Sequence, residues 1–378
     1  MAGPGDLDTT FSGDGKRTID FGGTDAANAV LVQPNGRILL VGSGGPSVSF
    51  CVACLRGTGA LDTAFSSDGK RVVDFGGRDE SGKGAALQSD GKIVLAGQSD
   101  LRVAVARLNP DGALDTAFSG DGKRIFSWGP ISEATAVLVL PNGRILLAGF
   151  SGPEGGDMQV ARLRANGELD PTFGANGTTA IDFGGSDFGL AIARQTNGRI
   201  LVAGRSTAAG AVVARLRPSG VLDLGFGSQG RVTLPGPTAT AVLVQPDQRI
   251  VVAGNSTGSE MMAVTRLRQD GSLDPTFNGN GTSTVDFGGL ADLAQGAALQ
   301  PDGKIVVIGY SQDGEAMAVA RLDADGSLDT TFGAGGKTTV DFGTATFGNA
   351  VALQPNRKIV VAGQKTGSDD FAVARLLG

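Results

Sequence analysis

The chain contains no histidine. That absence excludes Ser-His-Asp and Cys-His catalysis and the usual histidine-rich zinc, iron and copper sites. Cysteine occurs twice, at Cys51 and Cys54. The two stand three apart on one expected strand, so their side chains face opposite ways and cannot readily bridge. A redox or zinc C-x-x-C site needs a helix start or a second ligand pair, and the sequence offers neither. No apolar run approaches the ~20 residues that cross a bilayer as a helix, and membrane insertion is not expected. There is no basic block, and the net charge is -6. Nucleic-acid binding relies on clustered Lys and Arg, so it is not expected either. No signal peptide is present. The start Met1-Ala2-Gly3-Pro4 reads as an initiator placed before a trimmed mature chain, which leaves room for a removed signal.

What is present is repetition. Leu-Asp-x-x-Phe occurs seven times, with its aspartate at Asp8, Asp62, Asp115, Asp170, Asp223, Asp274 and Asp329, a period of 51 to 55 residues. A fixed period of this size marks a repeat architecture, and seven similar units can make one body of 1–378. Within a unit, Gly82–Gln88 is a small-residue strand and Ser89-Asp90-Gly91 a turn. A second strand, Lys92–Gln98, and a third, Val103–Leu108, follow. After Asp115 and Phe118 the chain enters a fourth strand, Lys123–Trp128. Short strands with turns every 8–12 residues, and no helical period, spell an all-β chain of four-stranded antiparallel sheets. The 62 glycines suit its many turns. Seven sheets without linkers predict a seven-bladed β-propeller. The blades are expected near 26–75, 80–128, 133–183, 188–234, 238–287, 293–342 and 346–378. The last is completed by the N-terminal strand 16–21, which closes the ring. A rival frame makes every blade contiguous. The shared blade is preferred because Ala and Gly suit a crowded innermost strand.

The phrases "LNPDGALDTAFSGDGKRI" and "LDADGSLDTTFGAGGKTTVDFG" resemble the delta-60 repeat of large secreted or surface proteins of bacteria. The resemblance covers essentially the whole chain. It implies a propeller and an extracellular or cell-surface setting, and it implies no defined activity.

The third strand ends in Ala-Arg-Leu or a near variant, at Arg107, Arg162, Arg215, Arg266, Arg321 and Arg375. A repeated Arg beside a repeated Asp predicts an ion pair that ties down an interblade turn. A ring of anion sites is the competing reading, but six or seven equal sites for one ligand would be redundant. Blade 1 has Cys54 where the Arg belongs, so Asp62 is expected to be unpaired or paired anew. The Asp-Phe-Gly phrases at Asp20, Asp74, Asp182, Asp286 and Asp341 read as turn chemistry. The turns at Asp14, Asp68 and Asp121 lack the spaced oxygen ligands of a calcium loop.

Function is expected at positions that differ between repeats, on the loops that share one face. One set lies five residues before the glutamine that closes each first strand: Asn28, Lys83, Thr135, Leu190, Thr240, Gln295 and Asn349. A second follows the second-strand glycine: Ser43, Gln98, Phe150, Arg205, Asn255, Tyr310 and Gln364. The joining loops add Asp25, Asp79, Glu80, Trp128, Glu133, Asp187, Phe188 and Asp292. The candidate ligand-binding residues are Asn28, Lys83, Trp128, Phe150, Arg205, Gln295, Tyr310 and Asn349. Aromatics with a polar handle anchor proteins and sugars, although Trp128 could equally pack as the Phe it replaces. The expected function is a non-catalytic binding or scaffold module for a protein or glycan, monomeric and without cofactor. One alternative is a calcium-dependent hydrolase of the lactonase or esterase kind. Another is a structural filler domain without a ligand.

Overall fold

A computed structural model describes residues 2–152, 156–258, 261–288, 291–311 and 316–378. Twenty-eight strands form seven four-stranded antiparallel sheets, and the fold is a seven-bladed β-propeller. The first strands of the blades, in chain order, are Ala26–Val32, Glu80–Leu87, Ser132–Val139, Asp187–Arg194, Thr238–Val244, Asp292–Leu299 and Thr346–Leu353. Six sheets follow the chain order of their strands. In the seventh, the N-terminal strand Lys16–Ile19 pairs antiparallel with Asp370–Leu376 and supplies the fourth strand of the C-terminal blade. The shared-blade frame is therefore the one adopted.

By packing, the chain divides into two compact units. One comprises Met1–Val72, Ala253–Arg266 and Asp274–Gly378, and holds blades 1, 6 and 7. The other comprises Val73–Val252 and Leu267–Leu273, and holds blades 2, 3 and 4. The strands of blade 5 are divided between them. In each unit the second and third strands are buried on both faces, which is why they read as apolar runs such as Ile145-Leu146-Leu147-Ala148.

The Leu-Asp-x-x-Phe phrase is a structural device. All seven of its phenylalanines are completely buried. In the second unit, Arg107 Nε donates to Asp115 at 2.6 Å, and Arg162 Nε donates to Asp170 at 2.8 Å. Each guanidinium then reaches the next blade, Arg107 Nη1 to the Ala165 carbonyl at 2.5 Å and Arg162 Nη1 to the Pro218 carbonyl at 2.6 Å. Their planes lie over Phe118 and Phe173, at 4.9 and 4.7 Å from the ring centroids. In the first unit, Arg375 repeats the pattern with Asp8, the Gly57 carbonyl and Phe11. A second cation, just before the second strand, shares the carboxylate: Lys92 with Asp115, Arg144 with Asp170, Lys358 with Asp8. The interblade tie read from the repeat is thus present, with one more cation than expected. At Cys54 the tie is rebuilt: Asp62 is held by Arg37 at 2.5 Å and by Arg56 at 3.3 Å.

Cys51 and Cys54 are free and buried. Burial pushes their thiols up to about 12 and about 11. The Asp-Phe-Gly aspartates accept from the amide two residues on, as Asp182 does from Gly184 at 2.6 Å. Asp14, Asp68 and Asp121 do likewise. These are Asx turns, as the sequence implies.

Candidate functional site

In six of the blades the first strand carries one irregularity, and it falls on the residues picked out as variable. The register of first and second strands shifts between Ala27 and Ala29, Gly82 and Gly84, Ala134 and Ala136, Gly189 and Ala191, Ala294 and Gly296, and Gly348 and Ala350. Asn28, Lys83, Thr135, Leu190, Gln295 and Asn349 are therefore bulge residues. A bulge inserts a residue without a partner and re-aims its side chain. The second-strand glycine explains why the bulge recurs. A Cβ on Gly149 would lie 1.8 Å from the Glu133 carbonyl oxygen, and one on Gly204 or Gly309 would meet the same obstacle. The first strand presses against the bare Cα at this point, so alanine does not fit.

Some bulge side chains are spent on the scaffold. The Asn349 amide donates to the Ala27 carbonyl at 3.0 Å. Thr135 donates to the Gly189 carbonyl of the next blade. Asn255, in the second set, accepts from the Ala294 amide at 2.9 Å. Lys83 lies 3.6 Å from Glu133 and stays partly exposed. Burial pushes the Glu133 carboxyl up, and Lys83 partly offsets that.

The second set stands directly across from the residue that precedes the bulge by two: Glu133 against Phe150, Phe188 against Arg205, Leu293 against Tyr310, Phe347 against Gln364. In the second unit this builds a stack. The Arg205 guanidinium lies 4.4 Å from the Phe188 ring centroid, and Phe188 meets Phe150 edge-on at 4.8 Å. Arg205 is exposed; Phe150 and Phe188 are half-buried. Glu133 and Lys83 continue the row into blades 3 and 2. Trp128 approaches the same row, but its indole N–H donates to the Phe150 carbonyl at 2.6 Å and its ring packs on Phe126 at 5.8 Å. Its polar handle is turned inward, toward the core of blades 2 and 3. In the first unit Tyr310 meets Phe347 edge-on at 4.8 Å.

Two carboxylate groups could hold a hard cation. Asp20, Asp25 and Asp370 bring oxygens within 4.8 Å of one another, as do Asp157, Asp182 and Asp187. In the first, both oxygens of Asp25 are taken, by the Gly45 and Phe21 amides at 2.8 and 2.6 Å. In the second, Asp187 is completely buried, its Oδ2 accepts from the Phe183 amide at 2.6 Å, and its Oδ1 has no hydrogen-bond partner among the described residues. Burial, then Asp182 and Asp187, push the Asp157 carboxyl up. Asp157 and Asp370 escaped the sequence reading because each lies outside the repeated phrases, where no spacing links it to its partners.

Comparison with known proteins agrees with this fold. Among curated proteins, none matches. Among solved structures, virginiamycin B lyase from Staphylococcus aureus is similar, with a TM-score of 0.62, 9% identity, and coverage of 96% of this chain and 99% of that one. The WD40 β-propeller domain of Doa1 gives a TM-score of 0.54 at 12% identity, over 96% of both chains. The structure of YCF48 bound to D1 peptide gives 0.53 at 12% identity, again over 96% of both. At such identities the likeness is one of fold. A family model, that of the β-propeller domain of unknown function DUF5122, matches residues 33–65, 88–118, 140–173, 195–226, 245–277, 300–332 and 354–378. Each matched segment but the last runs from the end of a first strand to the phenylalanine of Leu-Asp-x-x-Phe, and the chain belongs to the DUF5122 β-propeller family.

Proposed function

We propose that this chain, whose repeat phrase is of the delta-60 kind, is a non-catalytic binding or scaffold module. It engages a protein or glycan through the end of the blades that carries the bulges, in a secreted or cell-surface setting. The observation that carries this reading is the row Arg205, Phe188, Phe150, Glu133, Lys83. It crosses three consecutive blades, recurs in no other blade among the described residues, and places a stacked cation, aromatic edges and an ion pair at one strand end. Stacked Arg and aromatic side chains are the residues that anchor interfaces. Propellers with this use are among the structural neighbours, as the structure of YCF48 with a peptide illustrates. A lyase like the S. aureus neighbour is disfavoured. A histidine-to-alanine form of that enzyme is catalytically inactive, and this chain has no histidine.

The test is a screen of peptide and glycan arrays with the wild-type chain, repeated with an Arg205→Ala/Phe150→Ser double variant. The expected result is a wild-type ligand lost by the variant at unchanged melting temperature. A ligand retained by the variant moves the site elsewhere, and no ligand on either array favours the structural filler. A second reading, a calcium-type cation as in a metal-dependent hydrolase, draws on the buried Asp187 Oδ1, which lacks a partner among the described residues. A ligand at 100 times its Kd stabilises a native state by ~2.7 kcal/mol, so thermal melts in EDTA and in calcium test it. Superimposable melts would remove it.

A further inference from the structure

At the other end of the sheets, where first and second strands meet in hairpin tips, the first strand closes on an aliphatic residue and a glutamine: Val32-Gln33, Leu87-Gln88, Val244-Gln245, Leu299-Gln300 and Leu353-Gln354. Two adjacent blades break the rule. Blade 3 reads Val139-Leu140 and blade 4 reads Arg194-Gln195. The glutamine has a defined job. Gln354 Nε2 donates to the Gly36 carbonyl at 3.4 Å, and Gln195 Nε2 to the Gln248 carbonyl at 3.3 Å, each reaching the hairpin tip of the next blade. Leu140 has no amide, so it cannot make that bond to the corresponding tip residue, Gly198.

The joint left open between blades 3 and 4 is a pocket of about 360 Å³. Leu140, Ile200 and Pro218 give it an apolar side, and Arg144, Arg162 and Arg194 give it three guanidinium groups. The charges do not cancel. Asp170 is the carboxylate here, and it is held by Arg162 at 2.8 Å and by Arg144 at 3.1 Å. Arg162 is also committed to the Pro218 carbonyl and the Thr172 hydroxyl. Arg194 is exposed, and its guanidinium has no hydrogen bond or ion pair among the described residues.

We infer that this pocket binds an organic carboxylate attached to an apolar body, the acid pairing with Arg194 and the edge of Arg144 and the body lying on Leu140 and Ile200. A guanidinium is a planar fork that matches a carboxylate with two parallel bonds. The mixed lining selects against a bare inorganic anion, which would leave the apolar side wet. The volume suits one residue-sized group and lies at the small end of the ~300–1,000 Å³ typical of ligand pockets. A free branched-chain acid and the C-terminal residue of a peptide share this chemistry. The site lies about 20 Å from the Arg205 stack, since Phe188 and Arg194 are six residues apart on one strand, so it is separate from the binding face proposed above.

Ligand-observed NMR with N-acetyl-leucine, 4-methylpentanoate, N-acetyl-leucinamide and inorganic phosphate tests it. Two variants restore the repeat's own residues and so suit the fold: Arg194→Val and Leu140→Gln. The expected result is binding of both acids, no binding of the amide, and a loss of roughly tenfold or more in Arg194→Val, the equivalent of about 1.4 kcal/mol. Leu140→Gln, which refills the joint, should also weaken binding. A preference for N-acetyl-leucine assigns the site to peptide C-termini, and equal binding of the two acids assigns it to free acids. Three results overturn the inference: no binding of either acid, binding undiminished in Arg194→Val, or phosphate binding as well as the acids.

Discussion

Replacing Arg107 with Met tests the claim that the repeated Arg-Asp pair holds neighbouring blades together. Met keeps the aliphatic volume and removes the guanidinium. Arg107 is 5% exposed and makes three contacts at once: Asp115 Oδ2, the Ala165 carbonyl of the next blade, and the face of Phe118. Breaking one side of a buried ion pair costs about 3–5 kcal/mol when the remaining charge is left alone. Asp115 is not left alone, because Lys92 stays 2.9 Å from the same oxygen. That brings the ion-pair share to the bottom of the range or below. Loss of the stacked cation, worth ~0.5–2 kcal/mol, and of the carbonyl's donor add to it. The expected cost is about 3 kcal/mol. Trp128 is the chain's sole tryptophan and packs in the same core cluster as Phe118. Its fluorescence during urea unfolding therefore reports on this joint. A double-mutant cycle with Asp115→Asn should give a coupling of about 2 kcal/mol. The pH dependence has a definite sign. Burial alone would raise the Asp115 carboxyl, but Lys92 and Arg107 outweigh it and hold it below the usual carboxylate value. Its contribution is present above the unfolded pKa of about 3.9 and fades as pH falls below it. The gap between wild type and Arg107→Met should narrow in acid. A cost under about 0.5 kcal/mol, or strictly additive single mutants, would refute the tie.

Three further outcomes follow from particular residues. Gly149→Ala should cost about 3 kcal/mol or more, because its Cβ would lie 1.8 Å from the Glu133 carbonyl oxygen; urea midpoints measure this, and a loss under 1 kcal/mol would show that the bulge yields. Cys54→Arg should raise stability by about 1 kcal/mol by restoring the repeat's pair to Asp62, a modest gain because Arg37 and Arg56 already hold that carboxylate; a lower melting temperature would count against the pairing. Glu80 is completely buried, its Oε1 accepts from the Phe75 and Gly77 amides, and its Oε2 has no partner among the described residues, so burial pushes its carboxyl up. A folded pKa above the unfolded one means that its contribution is lost as pH rises through it, so Glu80→Gln should gain on the wild type between pH 4.5 and pH 8, and a gap that does not move across that interval would sink the assignment.

The repeat made the fold readable because it states every constraint seven times. The spacing of Leu-Asp-x-x-Phe predicted the blades. The missing fourth strand after Leu376 and the spare one at Lys16 predicted how the last sheet is completed. The Arg-Asp tie was legible for the same reason. The second cation at Lys92, Arg144 and Lys358 was not read, although it too recurs. It stands just before the second strand, 23 residues from its aspartate at Lys92 and 350 at Lys358, so no local spacing announces it. The bulges were hidden differently. Two residues opposing one is a property of pairing, and a single strand's sequence does not display it. The counted set nevertheless landed on them, since a residue with no cross-strand partner is free to vary.

That last point also sets what the variable positions mean. Variation between repeats points in the sequence to ligand contact, yet Asn349, Thr135, Asn255 and Trp128 direct their polar groups to backbone carbonyls or amides. A position freed from pairing is available to the scaffold as readily as to a partner. What separates the two uses is whether the polar group has already been satisfied. By that measure Arg205 and Arg194 stand apart, because each holds a guanidinium at the surface without an acidic partner among the described residues. One caps an aromatic stack, and the other overlooks a pocket opened by the loss of a single glutamine. Both arise where one blade departs from a rule that its neighbours keep. In a chain so repetitive, the core accounts for what the seven units share, and the capacity to recognise something specific must come from where they differ.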